Sequence, residues 1–221
     1  MIVQEKILST REKVGKLVQE RLGQFKNLSI NGITSFSFYP FLDLEPYNAD
    51  IFSESCFCIL TANSSASLGI RIQKEIGIEG FREYPYNRLF EIIRGKGHRF
   101  ASQRAERIVK LRDKTEVIEG VVSMKSGREA RGILVREIEG YGYKEASHFL
   151  RNVGFEDIAI VDRHIYRFLV ENSLVNERRT LTKKAYLECE DALINICQNM
   201  KLSMAELDLY IFYIKTGKVL K

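Results

Sequence analysis

The chain has 221 residues, 45% hydrophobic and 29% charged, with a formal net charge of +5. That composition allows one domain or two small ones with a buried core, and it excludes a disordered or low-complexity chain. No apolar run approaches the ~20 residues of a membrane span, Met1-Ile2-Val3-Gln4-Glu5-Lys6 does not open a secretory signal, and the mild positive charge permits a polyanionic partner without requiring one.

The pattern reads helical almost throughout, which predicts an all-α fold. Proline occurs only at Pro40, Pro46 and Pro85, so the second half can run as uninterrupted helices. Val3, Ile7, Val14, Leu17, Val18 and Leu22 recur at near-helical spacing and predict a helix over about 3–25. Residues 26–50 contain Asn31-Gly32 and the alternation Phe36-Ser37-Phe38-Tyr39, the signature of a loop with room for a short strand. A helix is expected over about 50–60. Another, over 64–76, carries the stripe Leu68, Ile72 and Ile76 and ends at Gly77 and Gly80.

A helix over about 100–111 places Ala101, Ala105, Ile108 and Val109 on one side and Arg104, Arg107 and Lys110 on another. The basic side reads either as a solvated face or as a stripe turned to phosphate. Near the C-terminus, Leu207 and the run Leu209–Ile214 are apolar nearly all round, as in a helix buried on several sides. Cys56, Cys58, Cys189 and Cys197 form no CxxC pair. Reduced, metal-free thiols are therefore expected, and no cofactor.

Residues 128–154 carry the sharpest pattern. Ala130, Ile133, Leu134 and Ile138 line one helix; Gly140 and Gly142 break it; Ala146, Phe149, Leu150 and Val153 line a second; Gly154 is placed to cap it at positive φ. A glycine turn lets the backbone approach a ligand closely, and the free amides opening the second helix suit a phosphate. Lys144 follows the turn, and Asp162 opens the next predicted helix, in Asp162-Arg163-His164-Ile165. An amine and a carboxylate facing each other across a cleft suit cutting a base from a sugar. Taken singly, each part has a plainer reading: a turn, a solvated lysine, an N-cap worth ~1 kcal/mol.

Gly140-Tyr141-Gly142-Tyr143-Lys144-Glu145-Ala146, followed by Val161-Asp162-Arg163-His164-Ile165, resembles the helix-hairpin-helix DNA glycosylase superfamily. The tract Tyr143–Gly154 is similar to the small 8-oxoguanine DNA glycosylase/AP lyases found mainly in archaea and some thermophilic bacteria. So are Arg99-Phe100 with Arg104-Ala105-Glu106, and Leu207-Asp208-Leu209 through Lys221. The resemblance spans about residues 50–221.

That resemblance implies two helical subdomains flanking an active-site cleft. One is formed by 1–60 with 160–221; the other is a helical barrel of 61–159 that contains the helix-hairpin-helix at 128–154. It implies that Lys144 is a nucleophile, and that Asp162 stabilises developing positive charge on the sugar and assists proton transfer. A lysine at the hairpin implies a lyase step through an imine and β-elimination, and members of this size lack an iron-sulfur cluster. Gly140, Gly142, Tyr143, Arg163 and His164 would hold the DNA backbone. Phe212, where relatives often carry tryptophan, Asp208, Phe100 and the carboxylate of Lys221 would form the base pocket. Neither His148 nor His164 is required by such a mechanism. The implied partner is double-stranded DNA with 8-oxoguanine or an abasic site, met by a cytoplasmic, nucleoid-associated monomer with no metal. An oxidised pyrimidine as the lesion, and a module that only grips DNA, are the alternatives.

Overall fold

The computed structural model describes residues 3–221. Among them the chain forms eleven α-helices, α1–α11, and a two-stranded antiparallel ribbon, β1–β2. The all-α expectation holds, with the ribbon as its one addition.

Helix α1 (Val3–Asn31) runs past its expected end because Phe25 and Leu28 continue the buried stripe of Ile7, Val14 and Val18. Gly32, at φ +72°, turns the chain. The loop expected over 26–50 is corrected in two ways: its first turns belong to α1, and it holds two strands. β1 (Ile33–Phe36) pairs with β2 (Tyr47–Asp50), with Ile33 opposite Asp50 and Phe36 opposite Tyr47. Alternation within β1 turns Thr34 and Phe36 inward. Four residues without their distant partner give little strand signal.

Asp50 ends the ribbon and caps α2 (Ile51–Thr61), its Oδ1 accepting the Ser53 N–H at 2.7 Å. Helix α2 is buried along almost its whole length and packs against α3, α5, α6 and α8. Helix α3 spans Ala66–Glu83 but is interrupted at Gly77, where the expected break falls. That residue, at φ +70°, bends the helix, which then resumes. Helices α4 (Tyr86–Gly95) and α6 (Thr115–Val122) have no counterpart in the sequence-based expectations. Each buries only two residues fully (Leu89 and Ile93; Ile118 and Val121), too short a stripe to stand out.

Helix α5 (Ala101–Leu111) carries the three basic residues, which do not act as one face: the solvated reading holds for Lys110 and not for Arg104. Arg104 is buried and donates to the Ala62 carbonyl at 2.7 Å. Arg107 packs beneath Gly140, and Lys110 is exposed and paired with Glu106 and Glu139.

The helix-hairpin-helix follows as α7 (Gly127–Glu137) and α8 (Tyr143–Asn152). Gly154 closes α8 at φ +92° as expected, and Phe155 N–H donates back to the Leu150 carbonyl at 3.0 Å. Helices α9 (Arg163–Glu171), α10 (Lys183–Met200) and α11 (Met204–Thr216) complete the chain. Helix α11 is buried among α1, α9 and α10, and α1 also lies against α8. This packing brings α8, the segment before α9, and the residues after α11 around one cleft.

Candidate active site

The cleft has a volume of about 970 Å³. Lys144, Asp162, Arg163, His164, Asp208, Phe212 and Lys221 all line it. Residues far apart in sequence and singled out separately are thus brought together.

Lys144 lies in the first turn of α8, with its side chain 27% exposed. Its Nζ donates to the Thr61 carbonyl at 3.4 Å, at the C-terminal end of α2 where carbonyls lack intrahelical partners. Glu145 Oε1 is 3.8 Å from the same ammonium. The other Glu145 oxygen accepts the Gly142 N–H at 3.2 Å, so one hairpin amide already has a partner.

Asp162 caps α9. One oxygen, Oδ1, accepts the N–H groups of His164 at 2.8 Å and Ile165 at 2.9 Å. Oδ2 has no hydrogen bond among the described residues. Capping thus fixes the carboxyl plane with one oxygen and leaves the other for the cleft. His164 sets its ring edge-on to Phe212, centroids 5.6 Å apart, and burial lowers its pKa against the pull of Asp162. His148, one turn beyond Lys144, is buried edge-on to Phe57 at 5.3 Å. Burial, aided by the charges of Arg151 and Lys144, holds its imidazole well below the usual range.

Gly140, Gly142 and Tyr143 form the hairpin rather than the cleft wall. Gly140 sits at φ +91°, a conformation that favours glycine, and a Cβ there would lie 2.7 Å from Arg107 Cδ. Tyr141 points inward and donates to the Ser55 carbonyl at 2.9 Å. Phe100 is not brought to the cleft: it is 41% exposed ahead of α5, while its neighbour Arg99 lines the cleft.

The inner end of the cleft is a buried polar seam that pattern reading did not find. Arg151 donates to Asp208 Oδ2 at 2.5 Å and to Asn152 Oδ1 at 2.8 Å. Asn152 donates to Glu54 Oε1 at 2.6 Å, and Lys221 Nζ donates to Glu54 Oε2 and to Gln73 Oε1, both at 2.6 Å. The Lys221 ammonium lies 3.9 Å from the Phe36 ring centroid and 4.4 Å from that of Phe57, a cation-π setting. Its side chain and that of Glu54 are both wholly buried. What Lys221 offers the cleft is therefore main chain.

Burial lowers the Lys221 amine to about 8 even though Glu54 opposes the shift. Burial likewise pushes Asp208 up to about 6, beyond what Arg151 offsets, with Asp162 adding to the rise. A signal for Glu54 was present: it is the only charge in the apolar run Ile51–Thr61, and a lone carboxylate there requires a partner. Gln73, between Ile72 and Ile76, and Arg151-Asn152, beside Leu150 and Val153, carry the same mark. Among the described residues no cluster of histidine, cysteine and carboxylates could hold a metal ion, and no helix is long and apolar enough to cross a membrane.

Comparison with known proteins gives a consistent result. The family model for 8-oxoguanine DNA glycosylase matches residues 37–202. An 8-oxoguanine DNA glycosylase/AP lyase from Aquifex aeolicus is 51% identical over 215 residues, 95% of each chain. One from Methanocaldococcus jannaschii is 48% identical over 204 residues, 91% of this chain and 98% of its own. The crystal structure of the M. jannaschii glycosylase/lyase with a 15mer DNA containing 8-oxoguanine superposes with a TM-score of 0.86 at 43% identity, over the whole of both chains. The 8-oxoguanine DNA glycosylase of Thermotoga maritima gives 0.85 at 38%, over 98% of this chain and 97% of that one.

Proposed function

This chain belongs to the 8-oxoguanine DNA glycosylase family, and on that footing we propose that it is bifunctional, excising 8-oxoguanine from duplex DNA and then cutting the strand. The observation that carries the reading is the lining of a single cleft by the hairpin lysine Lys144 and the N-cap aspartate Asp162.

A base within a duplex is out of reach, so the nucleotide is flipped into the cleft at a cost of a few kcal/mol. The Lys144 amine, unprotonated, attacks C1′. The glycosidic bond breaks, and the base leaves with the bonding pair and takes up the proton that Nζ sheds on forming its bond to C1′, Asp162 assisting the transfer. Asp162 Oδ2 stabilises the positive charge that grows on the sugar as that bond lengthens. The sugar ring opens to an imine between Nζ and C1′. Loss of a C2′ proton then expels the 3′ phosphate by β-elimination. The hairpin backbone from Gly140 to Tyr143, with Arg163 and His164, holds the phosphate chain without reading sequence.

At the inner end, Phe212 stacks on the flipped base, Asp208 meets its edge, and the Lys221 main chain reads it beside them. Phe100, exposed next to Arg99, contacts DNA outside the cleft rather than closing the pocket. Residues 1–60 with 160–221 form one lobe and 61–159 the other, and the protein acts as a monomer on DNA.

Borohydride trapping tests this reading. A duplex carrying one 8-oxoguanine yields a covalent protein-DNA adduct; an undamaged duplex does not. Lesion-independent trapping, or lesion binding with no adduct on 8-oxoguanine or abasic DNA, would overturn it.

A further inference from the structure

A second buried polar cluster lies behind Lys144 and takes no part in the chemistry just described. Arg131 on α7 and Glu190 on α10 are both almost wholly buried and pair through both guanidinium nitrogens, Nη2 lying 2.9 Å from Glu190 Oε2. Arg131 also donates to Ser147 Oγ at 3.2 Å. Tyr186, one turn before Glu190 on α10, donates to that same hydroxyl at 3.0 Å and accepts the Val161 N–H at 3.2 Å. The Ala159 carbonyl stands 3.4 Å from the phenol oxygen as a second acceptor.

Two of these partners bear directly on the site. Ser147 lies one turn beyond Lys144 on α8, and Val161 immediately precedes Asp162. The Tyr186 hydroxyl therefore bridges the helix that carries the amine to the segment that carries the carboxylate. The residue before Lys144 is held too: the Tyr143 ring meets the Tyr186 ring edge-on at 5.5 Å and lies 4.8 Å from the Arg131 guanidinium. The bidentate Arg131–Glu190 pair fixes α10 against α7, which sets where the phenol stands.

We propose that Tyr186 is a positioning residue that holds Lys144 and Asp162 at their working separation, acting through Ser147 on one side and Val161 N–H on the other. The proposal rests on the reading that those two residues perform the reaction. Its physical basis is the steep dependence of such reactions on placement: an error of about 1 Å costs ~100-fold. Val161 is buried, so its N–H has no water to turn to when the phenol oxygen is removed.

The test is a double-mutant cycle of Tyr186→Phe and Ser147→Ala, read as the single-turnover rate of 8-oxoguanine excision and as affinity for lesion duplex. Tyr186→Phe keeps the ring contacts and deletes one oxygen. It is expected to slow excision ~10–100-fold with affinity changed less than ~3-fold. Ser147→Ala cuts the same bridge at its α8 end and slows excision less. The double variant is expected to be no slower than Tyr186→Phe, because one bridge cannot be cut twice.

Additive losses, or rates that simply follow the urea midpoints, would reduce the cluster to a structural role and overturn the proposal. A wild-type rate for Tyr186→Phe, with Lys144→Gln inactive, would overturn it while leaving the mechanism intact. Retained adduct formation by Lys144→Gln would instead remove the mechanism beneath it. If Tyr186→Phe does not fold, Ser147→Ala alone decides: an unchanged excision rate refutes the bridge.

Discussion

Two buried polar groups meet α8: Arg131, Glu190 and Tyr186 gather at Ser147, and Glu54, Asp208 and Lys221 gather at Arg151 and Asn152. Both groups bury charge, and in both a guanidinium is matched by a carboxylate. They differ in where they end. None of the first four side chains lines the cleft, whereas Arg151, Asp208 and Lys221 of the second all do. The closed group has its hydrogen bonds satisfied internally and can only set distances. The open one contains an acid raised to about 6 and an amine lowered to about 8. Groups so poised respond to a ligand that supplies or removes a hydrogen bond. On the proposed reading, the closed group is thus suited to holding the reacting pair and the open group to judging the base.

Two substrates separate the two roles. A duplex with 8-oxoguanine needs both; a preformed abasic site needs only the chemistry. Lys144→Gln should abolish borohydride adducts and strand cleavage on both substrates while lesion binding persists. Asp162→Asn should slow excision by on the order of 100–1000-fold, the loss expected when a stabiliser of transition-state charge is neutralised. A lysine variant that still forms the adduct, or an asparagine variant with a normal excision rate, would dissolve the chemical side of the comparison.

The two sides were not equally legible in the sequence. The chemical side announced itself because its elements are local. Gly140 needs a positive φ, the stripe from Ala146 to Val153 marks α8, and Asp162 sits at a helix start. Each is a short-range constraint that leaves a short-range pattern. The base side is made of contacts between residues distant in sequence. Glu54 meets Lys221 across 167 positions of sequence, and no periodicity predicts a partner so far away. The ribbon escaped for the same reason: β1 means little until β2 is placed beside it. Phe36 of the ribbon packs on the Lys221 side chain, so the first fifty residues support a residue that lines the cleft although no motif in them pointed there. Arg104 shows the converse, a residue whose helical position was right and whose environment was not.

Lys221→Met tests the open cluster next. Removing the amine leaves the Glu54 carboxylate buried without its cation, which costs about 3–5 kcal/mol, read as a drop in the urea midpoint. Well below that midpoint, 8-oxoguanine excision should fall much more than cleavage of an abasic site, since the main chain at 221 is no longer anchored. Adding Glu54→Leu should recover much of the lost stability without recovering excision. Equal loss of both activities in the single variant would show that the seam supports the whole fold rather than the base pocket.

Asp208 gives a pH signature. It faces Arg151 from α8, Asp162 from the N-terminus of α9 and the backbone of Ile160. Its folded pKa of about 6 lies above its ordinary 3.8. Between those values the folded state keeps a proton that the unfolded chain has released. The stability this group contributes is therefore complete below pH ~4 and lost as pH rises through ~6. Asp208→Asn should flatten that part of the stability curve. In the wild type, excision should also change across a limb near pH 6 that abasic-site cleavage lacks, if Asp208 meets the base edge as proposed. A limb of the same size in both activities would point instead to His164, which faces the shared part of the cleft.

The smallest expected effect comes from restoring area at the stacking position. Phe212 is half-buried in the cleft wall, with the His164 ring against its edge, and the chain contains no tryptophan. A larger ring in the same place adds stacking surface for a flipped base; aromatic contacts of this kind contribute ~0.5–1 kcal/mol, or about 2–5-fold in affinity. Phe212→Trp should therefore bind the 8-oxoguanine duplex that much more tightly in a titration at fixed salt. The gain should be smaller for an abasic duplex, which has no base to stack. An equal gain on both duplexes would place residue 212 against the sugar or backbone rather than the base. The line between the two sides of the cleft would then lie deeper, at Asp208.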